Sequence, residues 1–107
     1  MTFDQYQKSA QRTSNTVDPD DKLVNGALGL AGESGEVADL VKKFMFQGHG
    51  LNTDDLLDEL GDVLWYISEV AAGMGETIET VARRNVDKLW RRYPAGFDSV
   101  RSVNREA

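Results

Sequence analysis

Two pairs of acidic residues have the types and spacing best suited to chemistry in this chain. Glu33 and Glu36 form one pair, and Glu59 and Asp62 form the other, and the members of each pair lie three positions apart. Side chains at that spacing lie on one face of a helix. Two such helices facing each other would gather four carboxylates, which repel strongly unless a positive charge lies among them. Because Mg²⁺ and Mn²⁺ prefer all-oxygen ligands, the pairs indicate a metal-assisted reaction on a phosphorylated substrate.

A charged helix face is most often only a solvated surface, but the surroundings of the second pair favour a site. Asp55, Glu59, Asp62 and Glu69 fall on one stripe of a helical wheel, close beside the apolar face. No Lys or Arg occurs between residues 43 and 83 to pair with them locally. Like charges at helical spacing cost roughly 0.2–0.5 kcal/mol per pair, a cost that a bound cation would reverse.

The composition excludes several classes of protein and of site. The chain has 107 residues, a net charge of -6 and no cysteine, and we expect one soluble domain. The lack of cysteine excludes disulfides, thiolate metal sites and cysteine nucleophiles. The acidic balance argues against nucleic acid as a partner. No apolar run approaches the ~20 residues of a membrane span, and the polar N-terminus does not resemble a secretory signal. We therefore expect a cytoplasmic protein with no membrane partner.

The elements that must position the acids are helices. Capping residues and a 3.6-residue apolar period predict an all-α fold with four helices and no strand. The four predicted helices start at Thr2, at Asp18-Pro19, at Asn52 or Thr53, and near Thr77. The second is predicted to end before Gly48, the third around Gly73 to Gly75, and the fourth before Pro94. We assign residues 1–97 to one domain and residues 98–107 to a polar tail, which is either loose or an arm onto a partner chain.

Glycines crowd the first acidic pair. Gly26, Gly29, Gly32 and Gly35 recur every third residue, although each glycine inside a helix costs ~1 kcal/mol relative to alanine. They leave little side-chain bulk around the pair. That would allow either a neighbouring helix or a ligand to come close, and both interpretations stay open.

The last predicted helix carries basic residues. Asn85, Lys88 and Arg92 lie along one polar stripe of it. Lys and Arg neutralise phosphate charge, and Arg does so with paired donors. The alternative is that cations favour a helix C-terminus. We adopt this alternative for Arg91 and the phosphate interpretation for Lys88.

The stretch from residue 29 to residue 97 resembles the MazG-like, all-α nucleoside triphosphate pyrophosphohydrolases. The family pattern of E-x-x-E, a spacer and E-x-x-D reads here as GLAGESGEVADLVKK and DELGDVLWYISEVA. It continues as NVDKLWRRYPAGF, which is similar to the family's last helix. The opening FDQYQKSAQRT is similar to its first helix, so the resemblance covers nearly the whole chain.

The resemblance implies hydrolysis of an NTP or dNTP between the α and β phosphates, giving the monophosphate and pyrophosphate in nucleotide-pool housecleaning or control. It implies Mg²⁺, with Mn²⁺ as a substitute, and a four-helix bundle completed as a homodimer or homotetramer. The implied metal ligands and catalytic residues are Glu33, Glu36, Glu59 and Asp62, one of which would act as general base. Asn85, Lys88 and Arg92 would contact phosphates or order the site.

Base recognition is expected from the first helix and the start of the second. The candidates are Phe3, Tyr6, Lys22 and Asn25, each of which could instead serve packing or solubility.

Two other function classes compete with this interpretation. A ferritin-like di-iron protein needs Glu-x-x-His pairs, but the single histidine, His49, lies in a glycine-flanked loop. A non-catalytic helical module would use the acids to bind a structural cation or a basic partner. A further variant keeps the fold but acts on a diphosphate or a modified nucleotide.

Overall fold

A computed structural model describes residues 1–105 of the chain. Over that range the protein is helical, and the prediction of an all-α fold is confirmed. The helices are α1 (Phe3–Gln11), α2 (Pro19–Phe46), α3 (Thr53–Gly73), α4 (Ile78–Arg92) and α5 (Ser99–Val103). No helix in this range is both long enough and apolar enough to span a bilayer.

Local capping explains where the four long helices begin. The side chains of Thr2 and Gln5 exchange hydrogen bonds with each other's backbone N–H groups, which confirms the predicted capping box. The side chains of Asp18, Asn52 and Thr77 accept hydrogen bonds from backbone N–H groups two or three residues later. Each cap satisfies donors that the first helical turn leaves unpaired.

Close packing of α2 on α3 forms the centre of the molecule. Gly29 faces the ring of Tyr66 and Gly26 faces Val70, while the opposite end of α3 brings Gly73 against the start of α2. As residue numbers rise along α2, those of the facing residues in α3 fall, so the helices are antiparallel. Adding a Cβ at position 26, 29 or 73 would cause a steric overlap, so these glycines serve helix packing. By contrast, a Cβ at Gly32 or Gly35 would meet no described atom within 4 Å.

Helix α1 contacts both α3 and the start of α4. Its Gln7 donates a hydrogen bond to the carbonyl of Glu76 and accepts one from the N–H of Ile78, at the start of α4. The Trp65 indole N–H in α3 donates to the carbonyl oxygen of Ala10 at 3.1 Å. As a result α1 is fixed against both α3 and α4.

The stretch predicted to be a polar tail contains a helix. Asp98 caps α5 by accepting hydrogen bonds from the N–H groups of Val100 and Arg101. The last two residues of the predicted tail, Glu106 and Ala107, lie outside the described residues. The domain boundary after residue 97 stays a prediction.

The single chain buries little of its apolar surface. Among the described residues the buried apolar side chains are Ala10, Ala71 and Ile78, whereas Leu28 is 70% exposed and Leu57 64% exposed. The radius of gyration is 16.7 Å, against about 13 Å for a compact chain of this length. Its accessible surface of 7857 Å² exceeds by roughly 1,900 Å² the value of about 5,900 Å² typical of a monomer of 11.9 kDa.

Candidate metal centre and phosphate-binding residues

Three of the four predicted metal ligands converge in the structure. Glu33 on α2 and Glu59 and Asp62 on α3 each place a carboxylate oxygen so that all three lie within 4.8 Å of one another. We call these three residues the acid triad. Glu33 follows Gly29 by one turn of α2, and Asp62 precedes Tyr66 by one turn of α3. The close antiparallel packing at Gly29 and Tyr66 therefore positions the triad.

The electrostatics of the triad favour a bound cation. The pKa of Glu59 is raised above its ordinary value because its protonated form can hydrogen-bond to Glu33. Burial and the negative charges of Glu33, Asp62 and Asp55 raise this pKa further. The Oε2 atom of Glu59 is buried and has no hydrogen-bond partner within residues 1–105. A buried carboxylate oxygen without a donor is costly, and a hard divalent ion would satisfy it. The residues present therefore fit Mg²⁺ or Mn²⁺.

Glu36, the fourth predicted ligand, is exposed and lies outside the triad. It follows Glu33 by one turn of α2. Nearby, Asp39 raises the pKa of Lys43 through a hydrogen bond and through its charge, and the charge of Glu36 adds to the effect. Glu36 thus lies between the triad and a surface cation, and its role as a metal ligand stays a prediction.

Helix α1 places the phenol of Tyr6 near Asp62 of the acid triad. Burial raises the pKa of Tyr6, and the negative charge of Asp62 raises it further. Phe3, one turn earlier, is 48% exposed. A role for Phe3 and Tyr6 in base recognition stays a prediction.

Lys22 and Asn25 surround Glu69, an acid that the helical wheel had placed on the same stripe as Glu59 and Asp62. The Lys22 ammonium lies 3.4 Å from Glu69 Oε1, and the Asn25 side-chain N–H donates to Glu69 Oε2 at 2.8 Å. The buried carboxylate also accepts hydrogen bonds from Gln11, Ser14 and Thr16.

The hydrogen bonds decide the ionisation of Glu69. Burial alone raises its pKa, but the donors from Asn25, Ser14, Thr16 and Gln11 outweigh burial and lower the pKa to about 2. Sequence reasoning missed this role because every partner comes from α1, α2 or the segment joining them. The only available signal was a run of polar residues at 11–16, which is common in loops.

The three predicted phosphate-binding residues of α4 lie along two grooves. Asn85 and Lys88 line one groove of about 670 Å³ together with Glu76 and Asp87. Lys88 also lines a second groove with Arg92, between α4 and α5. Within residues 1–105 no hydrogen bond or ion pair joins these residues to the acid triad. The structure of one chain therefore brings three of the acids together but leaves the cations of α4 apart from them.

Comparison with known proteins identifies the family. The sequence profile described as the MazG nucleotide pyrophosphohydrolase domain matches residues 25–97, a range that includes the whole acid triad and Glu36. The chain belongs to this family. The MazG family acts on nucleoside triphosphates and depends on divalent metal ions, in keeping with the acid triad. The match begins at Asn25 and ends at Phe97, so α1 and α5 lie outside it.

One relative resembles this MazG chain over its whole length. "Gene 37 protein" of Mycobacterium phage L5 is 37% identical over 114 aligned residues, which cover 98% of this chain and 100% of the relative. Its name describes no activity. No solved structure matches the chain.

Proposed function

We propose that this MazG chain hydrolyses a nucleoside triphosphate, an NTP or dNTP, at the bond between the α and β phosphates. The products are a nucleoside monophosphate and pyrophosphate, and the role is housecleaning or control of the nucleotide pool. The observation that carries the proposal is the convergence of Glu33, Glu59 and Asp62, with the buried Glu59 Oε2 lacking a donor. That arrangement lies within residues matched by the family.

The proposed cofactor is Mg²⁺, with Mn²⁺ as a substitute. The acid triad would hold the ion, and Glu36, one turn from Glu33, is the proposed fourth ligand. Bound Mg²⁺ supplies Lewis-acid stabilisation of the charge on the phosphate oxygens. One of the four carboxylates accepts the proton of the attacking water.

Other residues bind and orient the substrate in this proposal. Lys88 and Arg92 neutralise phosphate charge, and Asn85 donates a hydrogen bond from the same helix. Phe3 and Tyr6 contact the base.

Lys22 and Asn25 are also proposed as substrate-binding residues. Their contacts with Glu69 support a role in which they order the segment between α1 and α2. A substrate group at the start of α2 would then meet a fixed surface.

We also propose that the chain works as a homodimer or homotetramer. The excess accessible surface of roughly 1,900 Å² is more than the ~800 Å² that one subunit buries in a standard interface. Exposed apolar side chains line α2, α3 and α4, as Leu28, Leu57 and Trp90 illustrate. Assembly would cover these faces and would bring α4 of one chain near the triad of another, which accounts for the separation seen in a single chain.

The test is a panel of common NTPs and dNTPs, assayed with and without Mg²⁺ for release of both pyrophosphate and nucleoside monophosphate. Glu59→Gln and Asp62→Asn should abolish turnover while circular dichroism shows an intact fold. Asp58→Asn removes an exposed acid of the same helix and should retain activity. If the folded wild-type protein binds Mg²⁺ but hydrolyses no nucleotide, the proposal fails. The non-catalytic metal-binding module would then explain the acid triad.

A further inference from the structure

Cations make up five of the seven residues that line a groove of about 550 Å³ between α4 and α5. The charged and polar lining residues are Lys88, Arg91, Arg92, Arg101, Arg105 and Asn104, and Val100 completes the lining. Within the described range no Asp or Glu lines this groove, although the whole chain carries a net charge of -6. We call it the α4–α5 groove.

Among the described residues 1–105, no carboxylate pairs with a cation of the α4–α5 groove. Elsewhere in residues 1–105, Lys22, Lys43 and Arg83 form ion pairs with acids at 3.4, 2.8 and 2.9 Å. None of the five groove cations forms an ion pair within the same range. Like charges held this close repel one another, so the groove favours a ligand that brings several negative charges at once.

Helix α5 is oriented towards α4 by specific contacts. The Arg101 guanidinium donates a hydrogen bond to the carbonyl oxygen of Arg92 at 3.4 Å, which satisfies a carbonyl at the end of α4. Asp98 caps the first turn of α5. Arg101 and Arg105 both follow residue 97, so they add cations that the matched family domain does not include.

We propose that the α4–α5 groove binds an oligophosphate, with Arg101 and Arg105 as phosphate-binding residues. A guanidinium group offers paired donors that match phosphate oxygens, and the groove volume falls within the 300–1,000 Å³ or so of small-molecule sites. A diphosphate or triphosphate chain carries enough charge to match several cations. Binding of inorganic oligophosphate does not depend on the proposed hydrolysis, whereas a role in holding substrate rests on it.

The first test is isothermal titration calorimetry of the full chain with inorganic phosphate, pyrophosphate and tripolyphosphate. Omitting Mg²⁺ leaves the acid triad anionic, so it repels these ligands. Affinity should rise with phosphate number. The R101Q/R105Q variant should bind tripolyphosphate about tenfold more weakly or worse, since each charge-assisted hydrogen bond typically contributes at least that factor.

The matched control is R12Q/R83Q, which removes the same net charge from exposed residues outside the groove. It should bind as the wild type does. An equal loss in both double variants would show a general charge effect and overturn the proposal. Arg91→Gln, on α4, tests the groove without altering α5 and should also weaken binding. A single-stranded oligonucleotide that binds more tightly than tripolyphosphate would overturn the proposal in favour of a nucleic-acid surface.

Steady-state kinetics can distinguish whether the groove binds the phosphates of the substrate or the released pyrophosphate. If the groove holds substrate, R101Q/R105Q should raise KM for the nucleotide and leave kcat unchanged. If it holds released pyrophosphate, the same variant should relieve inhibition by added pyrophosphate and leave KM unchanged. The two proposals fail separately. If the protein binds oligophosphate but hydrolyses no nucleotide, only the proposed function is contradicted. If the protein hydrolyses nucleotides and R101Q/R105Q binds tripolyphosphate as tightly as the wild type does, only the proposed oligophosphate site is contradicted.

Discussion

Gly29 of α2 lies so close to Tyr66 of α3 that a Cβ atom at position 29 would overlap the aromatic ring. Glu33 lies one turn beyond this contact on α2, and Asp62 lies one turn beyond it on α3. The separation of the two helices at Gly29 therefore sets the separation of the carboxylates in the acid triad. The close packing of Gly29 on Tyr66 and the acid triad thus lie within two helical turns of each other.

Gly29→Ala should destabilise the protein and Gly32→Ala should not. The added methyl group at position 29 forces the Tyr66 ring or the helices apart, which typically costs about 1–3 kcal/mol. At position 32 nothing described lies within 4 Å, so alanine should be neutral or should stabilise by up to ~1 kcal/mol. Urea unfolding of both variants measures the difference. An equal loss at position 32 would mean that a second copy covers it.

Glu59→Gln should stabilise the metal-free protein and remove its response to Mg²⁺. Because the pKa of Glu59 is raised in the fold, the protonated form is favoured, and this contribution to stability is lost as pH rises through that pKa. A neutral glutamine avoids the repulsion from Glu33 and Asp62. Thermal unfolding across pH, with and without Mg²⁺, measures both effects.

Asp58→Asn is the control for Glu59→Gln, since it removes an exposed charge outside the triad. It should keep the rise in Tm that Mg²⁺ gives the wild type. A Glu59→Gln variant whose Tm still rises with Mg²⁺ would contradict a metal site at the triad.

Glu69→Gln should be among the most damaging single substitutions of a charged residue. The pKa of Glu69 falls from 4.5 to about 2 on folding, which corresponds to roughly 3 kcal/mol of stability at neutral pH. The sign follows from the lowered pKa: ionised Glu69 stabilises the fold above about pH 4.5, and this contribution is lost as pH falls towards 2. Urea unfolding between neutral and acidic pH should show a smaller loss of stability in the variant than in the wild type.

The comparison for Glu69→Gln is Glu79→Gln, which breaks the exposed i,i+4 pair with Arg83. That pair should be worth less than about 1 kcal/mol. Similar losses from the two substitutions would contradict a special role for the Glu69 cluster.

Leu28→Asp combined with Leu57→Asp should dissociate the assembly. Both leucines are exposed in the single chain, and a charge in a buried interface is costly. Sedimentation velocity should show a smaller species than the wild type. Val17→Asp with Val103→Asp, at exposed sites outside α2 and α3, should leave the assembly unchanged. A monomeric wild type would contradict the proposed oligomer directly.

The sequence predicts those features of the fold that depend on residues close together in the chain. Thr2, Asp18, Asn52 and Thr77 cap their helices through bonds spanning two or three residues, so the start of each long helix was predictable. The convergence of Glu33 with Glu59 and Asp62 followed from helical spacing once α2 and α3 were assumed to face each other. Helix α5 was missed because five residues are too few to show an apolar period.

Features that depend on distant partners could not be read in the same way. Glu69 shares a helical stripe with Glu59, yet its neighbours come from residues 11–25 and turn it into a buried, paired anion. Likewise, Gly29 and Gly32 look alike in the sequence, and only the packing of Tyr66 distinguishes their roles. No local pattern encodes which residues of α3 face which residues of α2.

The indole of Trp65 donates hydrogen bonds to the carbonyl of Ala10 and the hydroxyl of Thr13, so the chain contains its own optical reporter of α1. The other tryptophan, Trp90, is 65% exposed on α4, so we expect its emission at a longer wavelength than that of Trp65. In a Trp90→Phe protein, fluorescence would come from Trp65 alone. A red shift of that emission would then report the release of α1 from α3, without any label being attached.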